Sequence, residues 1–130
     1  MEKHFATYEQ SLALKELGYD EPCLAFYWNT GKFYTCAEYR HRIESHKQNQ
    51  LGDYNYDSTS APLKSQVFEF FRGYRLTVVI EDYLDDYEVK IVEWTLSDDR
   101  ITHEFPNRFD SWGDAESASI DKLIELVKKK

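Results

Sequence analysis

Basic residues are scarce where a nucleic-acid binder would need them. Between positions 81 and 121 there are thirteen Asp or Glu and three Lys or Arg, within a chain whose formal net charge is −8. Phosphate binding requires a basic surface, so this half disfavours nucleic acid as a direct partner. Cysteine is nearly absent: the 130 residues hold two. With no secretory pattern before them, these read as reduced thiols in a cytoplasm rather than a disulfide framework. No apolar run follows Met1-Glu2-Lys3-His4-Phe5 that could serve as a signal peptide, and no segment approaches the length of a membrane span. Internal repeats, low-complexity tracts and cofactor-binding motifs are likewise missing, so no cofactor is expected. Aromatic residues, by contrast, make up 16% of the chain and apolar ones 42%. That is too rich for a disordered chain, and more aromatic than a core of this size needs. Some Tyr and Trp are therefore expected at the surface, as they are at interfaces.

The length suits one α+β domain over residues 1–130, with a long polar loop over 38–59. A first helix is expected over 8–17, with Thr7 and Gln10 as a capping box and Gly18 at its C-terminal end. Residues 23–28 and 33–37 read as a β-hairpin around Asn29-Thr30-Gly31-Lys32. Setting Trp28 opposite Phe33 places Leu24, Phe26, Trp28 and Phe33 on one buried face. It leaves Cys23 and Cys36 diagonal neighbours on the other, beyond disulfide reach.

Residues 60–74 read as an aromatic central helix, with Ser60 as cap, Pro62 in the first turn and Gly73 closing it in a left-handed conformation. Three strands are expected next, over 74–81, 87–96 and 100–105, joined by acidic turns as an antiparallel meander. A last helix is expected over 112–128, capped by Ser111, burying Ala115, Ser119, Ile120, Leu123, Ile124 and Val127. The run helix, three strands, helix is also the order of double-stranded-RNA-binding domains. Those carry lysines at the start of the last helix, where this chain has Asp114 and Glu116.

Three blocks carry a family resemblance. The run Thr7-Tyr8-Glu9-Gln10-Ser11-Leu12-Ala13-Leu14-Lys15-Glu16-Leu17-Gly18-Tyr19-Asp20-Glu21-Pro22-Cys23 is the first. Ala61-Pro62-Leu63 followed by Phe70-Phe71-Arg72 is the second. Trp112, Ala115-Glu116 and the Ile120-Asp121-Lys122-Leu123-Ile124-Glu125 tail form the third. Together they resemble a family of small uncharacterised proteins encoded by phages and prophages of gut Bacteroidetes. The resemblance implies a phage setting and no catalytic residue.

The residues offer few chemical constellations. Glu81, Asp82, Asp85, Asp86 and Glu88 cluster carboxylates that a hard cation could use, but without calcium-loop spacing. Asp82 or Asp86 followed by Glu88-Val89-Lys90 echoes the Asp…Glu-x-Lys pattern of metal-dependent nucleases, in which two carboxylates hold Mg²⁺ and the lysine steadies water or phosphate. Arg40, Arg42 and Lys47 form a basic patch that could grip an acidic partner. Cys23 or Cys36 with a histidine lacks a nucleophile signature and fits an apolar filler better. His103 fits a hydrogen-bonded core residue.

The reading that follows is a non-enzymatic accessory protein acting by protein–protein contact. Its interaction surface would be Asp82, Asp85, Asp86, Glu88, Asp98 and Asp99, imitating nucleic acid, and its partner a host or phage protein. The alternatives are a phosphodiesterase using Asp82, Asp86, Glu88 and Lys90, and a structural homodimer closed by exposed aromatics.

Overall fold

The computed structural model describes residues 2–36 and 58–129. The fold is α+β, and the chain divides into two compact units, Met1–Ser65 and Gln66–Lys130.

In the first unit a 3-10 turn, Glu2–His4, leads into α1, Tyr8–Glu16. The expected capping box is present: Thr7 Oγ1 accepts from the Gln10 N–H, and the Gln10 side chain accepts from the Thr7 N–H. Gly18 takes the left-handed conformation (φ 89°) that ends such a helix. Then come β1 (Ala25–Trp28), β2 (Phe33–Thr35) and β3 (Ser58–Ala61), in an antiparallel sheet of order β2-β1-β3.

Two expectations fail here. The first is the hairpin register. Tyr27, not Trp28, lies opposite Phe33. The loop closes one residue early because Gly31, at φ 85°, adopts the left-handed conformation, and Trp28 pairs with Lys32 through a 3.0 Å bond. A three-residue loop with glycine at that position is a favoured hairpin connection. A slip of one residue turns every side chain to the opposite face. Phe33 therefore packs with Ala25 and Tyr27, joined by Phe5, Tyr8, Ala61 and Leu63. Phe26 and Trp28 share the other face with Tyr34. Leu24 is exposed.

The second failure is the stretch read as a helix cap. Ser58–Ala61 is a strand, buried along its whole length and paired with β1 from Ala25↔Ala61 to Trp28↔Ser58. Ser60 is thus a strand residue, and α2 begins at Lys64, running Lys64–Arg72. Two positions of the expected loop, Ser58 and Thr59, belong to this strand; positions 38–57 lie outside the described residues.

In the second unit β4 (Leu76–Asp82), β5 (Tyr87–Trp94) and β6 (Arg100–Glu104) form the expected antiparallel meander, and α3 (Trp112–Lys128) closes it. Gly73 is not left-handed. Successive i→i+3 bonds from Phe70, Phe71 and Arg72 tighten the end of α2, and Arg75 takes the positive φ of 65° instead. The pleat puts Leu76, Val78, Ile80, Val89 and Ile91 on one face. Leu76, Val89 and Ile91 are buried there, as are Ala115, Ser119, Ile120, Leu123 and Ile124 of α3, which packs on β4 and β5. Ser111 Oγ caps α3 by accepting from the Asp114 N–H at 3.1 Å. On the opposite sheet face Val79 and Trp94 are exposed.

Candidate functional site

The carboxylates singled out from the sequence fall at the two ends of β5. The first group surrounds the β4–β5 turn, which is closed by Tyr83 N–H donating to the Asp86 carbonyl at 2.8 Å. Register places Glu81 directly opposite Glu88, a like-charge pair that is unfavourable by itself. Two neighbours relieve it. The Tyr83 hydroxyl donates to Glu81 Oε2 at 3.1 Å, and Lys90 Nζ stands 3.7 Å from Glu88 Oε1. Hydrogen bonds to Glu88 and Glu81 push the Tyr83 phenol above its ordinary range, because ionising it would set a third negative charge beside them. Arg108 completes the cluster. Its guanidinium lies 4.0 Å from the Tyr83 ring centroid and its Nη1 reaches Asp86 Oδ1 at 3.3 Å.

The second group is the β5–β6 turn. Thr95 N–H donates to the Asp99 carbonyl at 2.8 Å, and Asp98 sits left-handed at φ 64°, a conformation Asp tolerates better than most residues. Ser97 Oγ donates to Asp99 Oδ2 at 3.3 Å, which orients that carboxylate. With β5 spanning Tyr87–Trp94, the two turns stand about 24 Å apart at the ordinary rise per strand residue. The six acids of the expected interaction surface therefore form two separate poles, Asp82, Asp85, Asp86 and Glu88 at one and Asp98 and Asp99 at the other.

Each pole holds a residue that charge patterning alone overlooks. Leu84 is 99% exposed and Leu96 88% exposed. Both are hairpin-tip leucines followed by carboxylates, Leu84 directly before Asp85-Asp86 and Leu96 before Ser97-Asp98-Asp99. A leucine beside an acidic turn is the signal the sequence carries at each position.

Of the nuclease-like residues, Asp82 stands apart from Glu88 and Lys90. Glu88 and Lys90 share a strand face, but the pleat directs Asp82 to the opposite one, where it pairs with Tyr87. Asp86 is held by Arg108. Among the described residues no three His, Cys, Asp or Glu side chains gather closely enough to hold a metal ion.

The remaining candidates divide as follows. Cys23 and Cys36 are buried and not joined in a disulfide. Burial, the leading cause, pushes the Cys23 thiol up to about 11 and so suppresses the thiolate a nucleophile requires. His103 Nε2 lies 3.1 Å from Glu93 Oε1, both side chains largely covered. The Arg40, Arg42 and Lys47 patch lies outside the described residues. No described helix is long and apolar enough to cross a membrane. Comparison of the chain with protein-family models, with curated proteins and with solved structures finds no match in any of the three.

Proposed function

We propose that this chain is a non-enzymatic accessory protein of a phage or prophage. In this reading it acts in the host cytoplasm by protein–protein contact, its second unit engaging a basic face of a host or phage protein. One observation carries the reading: both hairpin tips of the meander combine clustered carboxylates with a leucine almost wholly in solvent. A turn that only needs to be solvated gains nothing from leucine. Covering one against a partner is worth roughly 1.5–3 kcal/mol, while the acids around it steer a basic surface into place. Electrostatic complementarity contributes mainly to association rate and choice of partner; the leucines supply the contact that holds. A nucleic-acid-binding protein of the host is the partner class such a surface would imitate nucleic acid to reach.

The test is affinity capture from host lysate with three baits. They are the native chain, a charge variant (Asp82→Asn, Asp85→Asn, Asp98→Asn and Asp99→Asn) and a tip variant (Leu84→Ser and Leu96→Ser). The expected result is a basic protein recovered by the native chain and lost by both variants. Equal recovery by all three baits refutes the reading. Heat of binding on titration with Mg²⁺ or Mn²⁺ would instead favour the phosphodiesterase alternative.

A further inference from the structure

Strand β4 is an edge, and an unguarded one. Among the described residues it pairs with β5 alone. Natural edge strands are kept short or carry lysine, proline or a bulge that blocks further pairing. The other edge of this sheet, β6, follows that rule: five residues, Arg-Ile-Thr-His-Glu, three of them polar ionisable groups. β4 does not. Its two acids, Glu81 and Asp82, stand at its end, and Leu76-Thr77-Val78-Val79-Ile80 before them has no proline and no charge, three of the five side chains being β-branched aliphatics.

Its free backbone groups can be assigned. Trp94 N–H donates to the Arg75 carbonyl and Tyr83 N–H to the Asp86 carbonyl. Hydrogen-bonded pairs alternate along an antiparallel ladder, so Thr77, Val79 and Glu81 spend their N–H and C=O groups on β5. Those of Leu76, Val78 and Ile80 point outward. On the helix side the same edge borders an open groove of about 160 Å³ lined by Phe68, Arg72, Val78, Ile80 and Trp112.

The charge pattern along the strand says what fits. Arg75 stands at its start, with its exposed guanidinium 3.5 Å from the Thr95 carbonyl, and Glu81 and Asp82 stand at its end. A strand that is cationic at one end and anionic at the other complements a reversed copy of itself. With a two-fold axis at Val78, the outward groups of Val78 meet their own counterparts, and Leu76 falls opposite Ile80 of the second copy. Thr77 falls opposite Val79 and Arg75 opposite Glu81, so every apolar residue meets an apolar or small partner and no like charges are opposed. We propose that β4 pairs with β4 of a second copy of this chain in that register, joining two three-stranded sheets into one of six.

The contact is one strand wide, so association is expected in the micromolar range or weaker. The experiment combines sedimentation between about 5 and 500 µM with cysteine cross-linking. In this register Thr77 and Val79 of the two copies form a non-hydrogen-bonded pair, whose Cα atoms lie about 4.5 Å apart, within disulfide range. An equimolar mixture of Thr77→Cys and Val79→Cys chains should therefore form a covalent dimer under mild oxidation, and neither variant alone should. The native Cys23 and Cys36, both buried, serve as the unreactive background. Val78→Lys, which sets two ammonium groups against each other on the axis, should raise the dimer Kd at least about tenfold. A chain monomeric at every concentration, cross-links that form equally in the single variants and the mixture, or an extended peptide occupying the edge of a monomer would each overturn the proposal.

Discussion

Removing one oxygen atom, by Tyr27→Phe, gives a test with two signatures of opposite direction. The Tyr27 hydroxyl donates to the Ala6 carbonyl at 2.7 Å, both residues buried, across twenty-one positions of sequence. Phenylalanine keeps the ring contacts with Tyr8 and Phe33, at 5.5 Å between centroids in each case, and deletes only the donor. Leaving a buried carbonyl without its partner costs about 1–3 kcal/mol, which is the expected deficit of the variant at pH 8. The second signature is alkaline. Burial, reinforced by Glu2 and Glu9, pushes the Tyr27 phenol from 10.0 up to about 12. A folded-state value above the unfolded one stabilises fully below pH 10, and that stabilisation is lost as the pH climbs through 12. The native chain should lose about 1 kcal/mol per pH unit over this window on account of Tyr27, and the variant should not. Urea unfolding of both chains at pH 8, 10 and 11 reads the difference. The gap between them should narrow by about 1 kcal/mol between pH 10 and 11. A gap that stays constant with pH would mean that Tyr27 is not the buried donor described.

Three further outcomes follow from the packing. Ile91→Ala, on the central strand of the second sheet and fully buried, should cost about 2–5 kcal/mol, read as a lower urea midpoint. Gly31→Ala should cost about 1–2 kcal/mol by the same measurement, since φ 85° strains an L-residue and the new Cβ would come 3.4 Å from the Tyr8 ring. The thiols should react with Ellman's reagent only as fast as the first unit opens. Rapid labelling of the native chain would contradict the burial of Cys23 and Cys36.

What was legible in the sequence follows from where the pattern and the physics coincide. Strands β4 and β5 and helix α3 alternate or repeat cleanly and were placed to within two residues at their ends, because one face of each is apolar and the other is not. Strand β3 is not legible because Ser58-Thr59-Ser60-Ala61 shows no apolar alternation. It is buried by its small side chains and its pairing with β1, and its serine before proline mimics a helix start. The register of the first hairpin turned on a single glycine conformation, which composition does not reveal, and that residue decided the face of five aromatic side chains. The acids of the candidate site were visible as a run. Their division into two poles depended on strand pairing, and the quieting of Asp86 and Glu88 depended on Arg108, twenty-two positions from Asp86, and on Lys90.

The most direct test of the account is the salt dependence of the complex with the captured partner, measured for the native chain and for the charge and tip variants. Acidic turns that steer a basic surface predict an affinity that falls steeply between about 50 and 200 mM salt, a shallower slope when the four aspartates become asparagine, and an unchanged slope with weaker binding when Leu84 and Leu96 become serine. Binding that is indifferent to salt, or a slope that the aspartate changes leave untouched, would contradict it.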